Sequence, residues 1–439
     1  VQPVPGLQGY RRFHKGLYGR PTLWKLLAGA GKRCTVFDAT YTHPEEGFSG
    51  VQVFDWGTWA RYWKPMSTPP GMLRRLEREC GAYPLGLEAL QVGLAPLDPD
   101  EIGKRLVEAA AAKTDAILWM MDQEPWDLLL ALYCETHPAA HYCWPPGAAG
   151  NGGETGGEFR HLRALYEEID CGIGRILERA GRDATVFVIS GEGVGPNRAG
   201  WHLLPEVLRR LGFFAAPPPP EQGAGGGAPK KGVVGRLKNL VRPETRKAIA
   251  GRLPHGLRDA INRRLDSAGV DWSRTRAFCL PTDLEGCIRL NLKDREPKGM
   301  VAPGAEAERV SRELADALLE LSNPRTGRPA VREVVLTDSL FPGERRPYLP
   351  DLIVVWSDEA EITELHSPRI GTVGAPSPDG RTGTHTPPGF AVTRGLSVAR
   401  GETREGGSVF DLVPTVLGEF GVPPPPGLDG KGWSDRRGG

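Results

Sequence analysis

Residues 184–197, with the sequence A-T-V-F-V-I-S-G-E-G-V-G-P-N, constrain the fold more than any other stretch of the chain. The first half is an uncharged apolar run, which is typical of a strand buried on both faces. The second half places three glycines within five residues, which predicts a sharp turn at the carboxyl end of that strand. Ligands of open α/β sheets bind at such ends, so Glu192, the ionisable residue of the turn, is a candidate ligand.

The surrounding pattern predicts an α/β fold. An apolar strand at 126–133 and a helix at 158–180 precede the strand that begins at residue 184. A strand, a helix and a second strand at this spacing form a parallel-sheet unit. The pattern predicts further strands at 33–38, 286–290, 331–336 and 351–356, and further helices at 22–30, 100–113 and 305–321. Residues 39–70 are rich in turn formers, and we expect no regular element there.

The overall charge does not favour a polyanionic partner. The 439 residues carry a formal net charge of +1, so the chain as a whole has no bias towards a nucleic-acid polymer or a membrane surface. No apolar run approaches the roughly 18–20 residues that would predict a transmembrane segment. Seven cysteines without C-x-x-C spacing are typical of reduced thiols in an intracellular protein, and we expect a cytoplasmic location. The sequence does not indicate an oligomeric state.

A Pro/Gly-rich linker at residues 215–229 predicts an interruption of the α/β core. It is followed, in residues 230–264, by eleven Lys/Arg and two acids. We interpret this segment as a basic helical insertion with a solvated face; the alternative is a patch that contacts an anionic substrate or lipid headgroups. The predicted organisation is a first core part (1–214), a linker and insertion (215–275) and a second core part (276–439).

Three histidines lie at the ends of predicted strands or in the loops that follow them: His137, His141 and His385. His137 and His141 are four residues apart, so they face the same ion if this segment begins a helix. His385, from a remote loop, would complete a three-ligand site with an open position, which is the arrangement of a catalytic metal. The spacing alone also allows a structural role for these histidines.

Seven segments resemble, in the same order, the alkaline phosphatase superfamily, in its branch of type I phosphodiesterases, nucleotide pyrophosphatases and related phosphohydrolases. The segments are W-D-L-L-L-A-L-Y-C-E-T-H-P-A-A-H-Y-C-W, Y-E-E-I-D-C-G-I-G-R-I-L, T-V-F-V-I-S-G-E-G-V-G-P, R-L-N-L-K-D-R-E-P-K-G-M-V, P-D-L-I-V-V-W, G-T-H-T-P-P-G-F and D-L-V-P-T-V-L-G-E-F-G-V-P. As a set they are specific to the superfamily, and none is specific to a substrate.

The resemblance implies both a fold and a chemistry. The fold would be α/β, with a doubly wound, mostly parallel sheet, helices on both faces and a helical insertion. The activity would be that of a metal-dependent phosphoester hydrolase that acts on a small-molecule phosphoester. One or two divalent ions, usually zinc, would neutralise the phosphoryl oxygens while a Thr or Ser attacks phosphorus in line.

The resemblance also assigns the ligands of one metal. In the family this ion is held by an Asp and a His four residues apart and by a His in a G-T-H loop. The matching residues are His137, His141 and His385. A His stands where the family has Asp, and it can still ligate.

The family's second metal is held by an Asp-His pair after a strand and by an Asp at the end of the first strand. The pair matches Gly191, which offers no ligand, and Glu192, which offers a carboxylate. The first strand, with its Asp and the nucleophile, has no counterpart in the chain. We expect it either upstream of Val1 or lost, and no catalytic nucleophile is assigned.

Two function classes follow from these assignments. The first is a phosphodiesterase-like phosphoester hydrolase. The alternative is a catalytically inactive protein of the same fold that binds a phosphorylated ligand or a protein partner. A sulfatase ranks third, because the chain lacks the Cys-x-Pro/Ala-x-Arg segment that carries the sulfatase nucleophile.

Overall fold

The computed structural model describes residues 2–11, 20–40, 42–45, 47–57, 65–85, 98–147, 159–217, 269–282, 284–395, 400–403 and 405–433. The predicted basic insertion lies almost wholly outside these residues and remains a prediction, as do the domain boundaries.

The secondary structure alternates between helices and short strands. The helices are α1 (Leu23–Gly29), α2 (Met72–Cys80), α3 (Pro99–Met121), α4 (Thr136–Tyr142), α5 (Arg160–Ala180), α6 (Leu204–Arg210), α7 (Ala305–Leu319), α8 (Thr337–Leu340) and α9 (Leu412–Glu419). The strands are β1 (Gln2–Pro3), β2 (Tyr10–Arg11), β3 (Cys34–Phe37), β4 (Gly50–Phe54), β5 (Met66–Thr68), β6 (Leu128–Ala131), β7 (Val186–Ser190), β8 (Gly193–Pro196), β9 (Ala277–Leu280), β10 (Gly286–Leu290), β11 (Ser322–Asn323), β12 (Arg328–Pro329), β13 (Val331–Leu336), β14 (Leu352–Trp356), β15 (Glu364–Ser367), β16 (Gly371–Gly374), β17 (Gly383–Thr386) and β18 (Phe390–Arg394).

The chain divides into two compact units, each made of two separate stretches. Unit 1 comprises Val1–Phe13 and Arg198–Ser377, and unit 2 comprises His14–Asn197 and Pro378–Gly439. The chain leaves unit 2 after β8 and returns to it before β17, so the longer stretch of unit 1 is inserted between the two parts of unit 2.

Unit 2 contains a four-stranded sheet in the order β5-β4-β3-β6. β3 runs parallel to β4 and to β6, and β5 is antiparallel to β4. The prediction of a strand at 33–38 is confirmed, and every residue of β3 is buried. Among the named strands of the described residues, the parallel pairs are β3 with β4 and β3 with β6. The mixed α/β class is therefore confirmed, and the doubly wound strand order remains a prediction.

The expectation that residues 39–70 hold no regular element is wrong, because β4 and β5 lie there. Two residues of β4 interrupt its apolar pattern. Gln52 is fully buried, and its side-chain oxygen accepts a hydrogen bond from Glu45 N at 3.2 Å. Gly50 has a φ of +130°, and a Cβ at this position would lie 2.0 Å from Cys34 O, so glycine alone fits where β4 begins beside β3.

Two long helices pack against the apolar side chains of this unit. α3 is longer than its predicted span of 100–113, and Asp98 rather than Asp100 caps it, by accepting from Asp100 N. The apolar stripe of α3 includes Leu106, Ile117 and Met120, which are fully buried. α5 matches its prediction within two residues at the start and ends where predicted, before Gly181.

The strand predicted from the opening motif is confirmed as β7, but its predicted environment is wrong. Among the described residues, β7 forms an antiparallel pair with β18, and β6 forms a parallel pair with β3. The predicted parallel unit would require β6 and β7 to lie in one sheet, and these two strands are not paired with each other. A two-stranded ribbon cannot bury both faces, and Ile189 is 46% exposed. The glycine-rich turn after β7 becomes the strand β8, which pairs with β17.

Unit 1 is built around an antiparallel sheet in the order β13-β14-β10-β9. The strands predicted at 286–290, 331–336 and 351–356 and the helix predicted at 305–321 are confirmed by β10, β13, β14 and α7. α7 contributes Val310, Leu314 and Leu318, all fully buried, to the core of this unit.

Two whole-chain expectations can be compared with the described residues. None of the helices in the described ranges is long and apolar enough to cross a membrane. The seven cysteines are free thiols.

Candidate metal centre

Two separate parts of unit 2 supply the candidate site. α4 follows β6 and carries His137 and His141 one turn apart, so both imidazoles lie on the same side of the helix. β17 carries His385, which lies opposite Val194 of β8 in the antiparallel pair.

Backbone and side-chain hydrogen bonds fix the end of α4 against β17. Thr382 N donates to His141 O at 2.9 Å, and Thr382 Oγ1 donates to Trp144 O at 2.7 Å. His141 Nδ1 lies 2.9 Å from Gly383 O. A Cβ on Gly383 would lie 2.0 Å from Ala140 O, so glycine is required for this close approach.

The three predicted histidines converge. One ring nitrogen of each histidine, His137, His141 and His385, lies within 4.8 Å of the corresponding nitrogens of the other two. The ring centroids are 4.6, 4.6 and 4.8 Å apart. Nitrogens bound to a tetrahedral zinc at 2.0–2.1 Å would be about 3.4 Å apart, so ring movements of roughly 1 Å would form the site.

The hydrogen bond of His141 selects its tautomer. A carbonyl oxygen only accepts, so Nδ1 of His141 carries the proton that it donates to Gly383 O. The lone pair of this imidazole is therefore on Nε2, which is the nitrogen that can ligate. A ligating histidine that donates its other ring N–H to a backbone carbonyl is the usual arrangement around zinc.

His137 is held in the neutral form that binds metal. Burial is the main cause that lowers the pKa of His137 to about 2. Repulsion from the neighbouring imidazoles and from the guanidinium of Arg381 adds to this effect. No proton therefore has to leave His137 at neutral pH before an ion binds.

Glu192 lies beside the three histidines rather than among them. Its side chain is 53% exposed, and its Oε1 lies 2.9 Å from Nδ1 of His385. The two atoms are within ion-pair distance but are not aligned for a hydrogen bond, so the contact is electrostatic. A carboxylate at this place favours a proton on Nδ1 of His385 and leaves Nε2 as the ligating nitrogen.

Arg381 is a residue of this region that the sequence patterns did not single out. Its side chain is 8% exposed, and its Nε lies 3.0 Å from Oδ2 of Asp379, which is 4% exposed. The sequence contained one signal, since Arg381 is four residues before His385 and lies just ahead of β17.

A second buried polar cluster lies at the carboxyl ends of β3 and β6. Lys113 Nζ lies 3.0 Å from Asp38 Oδ2 and 3.1 Å from Glu135 Oε1, and all three side chains are fully buried. Burial opposes the charge of Lys113, yet the neighbouring Cys134, Glu135 and Asp38 raise its pKa. Glu135 directly precedes α4, so this cluster holds the start of the helix that carries His137 and His141.

No protein-family model matches the chain, and no curated protein matches its sequence. Among solved structures, the chain is similar to human ectonucleotide pyrophosphatase/phosphodiesterase 5. The two share 8% sequence identity with a TM-score of 0.40, over 94% of this chain and 72% of that one. A likeness at this level supports no inference about activity.

Proposed function

We propose that the chain is a metal-dependent phosphoester hydrolase whose divalent ion is bound by His137, His141 and His385. The observation that carries this proposal is the convergence of these three imidazoles from two distant parts of the chain. The doubly wound, alkaline phosphatase-like fold implied by the seven resembling segments belongs to the same proposal.

The donor set fits zinc better than a hard cation. Mg²⁺ and Ca²⁺ prefer oxygen ligands, whereas imidazole nitrogens suit zinc. Three protein ligands also leave a position for substrate, as in catalytic rather than structural zinc sites. When bound, the ion would supply a Lewis acid for phosphoryl oxygens.

The residues of this chain have separate parts in the proposal. His137 and His141 bind without prior loss of a proton from His137. Glu192 orients His385 through its contact at Nδ1, and it is also the carboxylate that a second ion would use. Gly191 offers no side chain to such an ion, so we propose one ion for the described residues.

Metal analysis and a general phosphodiester substrate test the proposal. We expect the purified protein to bind about one zinc per chain and to hydrolyse bis-p-nitrophenyl phosphate, with loss of activity on chelation. Alanine at His137, His141 or His385 should weaken zinc binding more than about 100-fold, because even partners outside the ligand set contribute 10–100-fold.

The matched control is His366→Ala, which removes an exposed histidine of unit 1. It should leave zinc affinity and hydrolysis unchanged. Equal zinc affinity in the wild type and in all three ligand variants would contradict the proposal.

The inactive alternative is supported by Gly191 and Glu192, which stand where the family's second metal pair would be. It predicts a protein that binds one zinc and inorganic phosphate but leaves the phosphodiester intact. Hydrolysis that is lost together with the three histidines would exclude it.

A further inference from the structure

The helix α4, which carries two of the three histidines, is too short to hold its own position. It has seven residues, and isolated helices shorter than about 12–15 residues are marginal in water. Glu135 stands at its N-cap position, but the Glu135 side chain makes no capping hydrogen bond. Hydrogen bonds with Thr382 and Gly383 fix the carboxyl end of α4. The place of its first turn therefore depends on what holds Glu135.

The carboxylate of Glu135 is held through one of its two oxygens. Oε1 accepts a hydrogen bond from Tyr83 Oη at 2.7 Å and lies 3.1 Å from Lys113 Nζ. Glu135 is 1% exposed, and its Oε2 has no hydrogen-bond partner among the described residues. The orientation of this carboxylate therefore depends on the two contacts at Oε1.

The two partners of Glu135 are themselves fixed against the segment that follows β4. Lys113 Nζ donates to Gly57 O at 3.1 Å and lies 3.0 Å from Asp38 Oδ2. A Cβ on Gly57 would lie 2.7 Å from Cε2 of Tyr83 and 2.9 Å from Cε of Lys113, so both side chains pack directly on this glycine. Gly57 N also donates to Asp38 Oδ2 at 2.8 Å. The start of α4 is thus joined to the ends of β3 and β4.

We propose that Tyr83 is a positioning residue of the three-histidine centre, because through Glu135 it fixes the first turn of α4 and with it His137. His137 comes two residues after Glu135, and its backbone N donates to Cys134 O at 3.2 Å, so a shift of Glu135 moves His137 as well. This inference rests on the proposed function, since it assumes an ion at that centre. It extends the proposal by making metal affinity depend on a side chain that is not a ligand and contacts none of the three ligands in this chain of hydrogen bonds.

Tyr83→Phe tests this role in the full-length protein, since it removes the hydroxyl and leaves every charge of the cluster in place. We expect zinc affinity to fall by about tenfold, the lower end of the effect of removing a partner outside the ligand set. Titration with zinc against a competing chelator gives the dissociation constant. Urea unfolding of the metal-free protein gives the stability of each variant.

Tyr133→Phe is the matched control. Tyr133 is closer to His137 in the sequence and is half-buried like Tyr83, but its hydroxyl lies 2.7 Å from Thr114 Oγ1 of α3. This variant should lose a similar unfolding free energy and keep the zinc affinity of the wild type. A merely structural role of Tyr83 predicts that the two variants behave alike.

Two variants of Glu135 test whether the effect of Tyr83 passes through it. Glu135→Gln and Glu135→Leu both remove the charge, but glutamine keeps an oxygen that accepts from Tyr83 and should retain more zinc affinity. In the Glu135→Leu background, Tyr83→Phe should weaken zinc binding no further, because effects that share one residue are not additive. Lys113 keeps Asp38 as its partner in that background.

The outcomes separate this inference from the proposed function. If the wild type binds no zinc, the proposed function fails and this inference fails with it. If the wild type binds zinc and Tyr83→Phe has the same affinity, this inference alone is wrong. It is also wrong if Tyr133→Phe loses as much zinc affinity, or if Tyr83→Phe keeps its full effect in the Glu135→Leu background. If Glu135→Leu does not fold, the comparison of the two tyrosine variants decides.

Discussion

At the scale of single residues, the candidate site depends on one glycine as much as on its histidines. Gly383 accepts the hydrogen bond that sets the tautomer of His141, and its missing side chain lets β17 approach α4. The sequence could predict the histidines, because spacing of four on a helix is a recognisable pattern. It could not predict the need for Gly383, because the atom that a side chain would meet belongs to a residue far away in the sequence.

Gly383→Ala should therefore disrupt the site without touching a ligand. The added Cβ would lie 2.0 Å from Ala140 O, a backbone atom of α4, so the helix or the strand must shift. We expect a loss of several kcal/mol of unfolding free energy, as for other strained core substitutions, and weaker zinc binding. Denaturant unfolding and zinc titration provide the two measurements.

Gly174→Ala is the matched control, because a Cβ on this glycine of α5 meets nothing within 4 Å. Alanine favours helix over glycine, so this variant should be up to about 1 kcal/mol more stable. If the Gly383→Ala protein were as stable as the wild type, β17 could shift away from α4 without cost, and the requirement for glycine at this position would be wrong.

The pKa of His137 predicts an acid-sensitive metal-free protein. Its folded-state pKa is lowered to about 2 from an ordinary value of 6.5, so the unfolded chain binds a proton that the folded chain does not. This contribution to stability is complete above about pH 6.5 and is lost as the pH falls, by about 1.4 kcal/mol per pH unit.

The measurement is unfolding free energy of the metal-free protein between pH 4 and 8, in wild type and His137→Asn. The variant should show a flatter profile below pH 6.5, since asparagine does not titrate. Identical slopes in the two proteins would mean that His137 is not held neutral by the fold.

At the scale of elements, the predictions succeeded where local pattern and tertiary environment agree. The sequence of β3 predicts a buried strand, and the structure confirms it. The sequence of β4 contains Gln52 and Gly50, which interrupt the apolar pattern, and the reason for each residue appears only when the neighbouring segments of the structure are known. The run of β7 is apolar enough for a central strand, yet pairing with β18 leaves it half exposed. An apolar run indicates a strand but does not specify its neighbours.

The sequence of α3 contains an indication of a buried ion pair that its apolar pattern alone does not predict. Lys113 occupies an apolar position of the helix, in register with Leu106, Ala110 and Ile117. A lysine at such a position indicates a buried partner, and the partners are Asp38 and Glu135 at the ends of two strands. The sequence alone could not name them, since they come from different elements.

Lys113→Met tests how much this cluster contributes to unit 2. The substitution leaves two buried carboxylates without their shared cation, which typically costs about 3–5 kcal/mol. The control Lys25→Met removes a lysine that is 52% exposed and paired with Glu45 at 3.2 Å, and it should cost at most about 1 kcal/mol. Urea unfolding of both variants gives the comparison, and equal losses would contradict the structural role of Lys113.

At the scale of the whole molecule, the candidate site is discontinuous in the same way as unit 2. His137 and His141 precede the longer stretch of unit 1 in the sequence, and His385 follows that stretch. The grouping of the three histidines was predictable from the order of the resembling segments. The division into two units was not, because the two parts of unit 2 share no local pattern that marks them as one body.

This discontinuity has a consequence for biosynthesis. The hydrogen bond between His141 and Gly383 joins residues 242 positions apart. At ~5–20 residues/s, a ribosome would take roughly ten to fifty seconds to make the second after the first. During that interval a nascent chain would have two of its three imidazoles, so we expect metal capture to await the synthesis of His385.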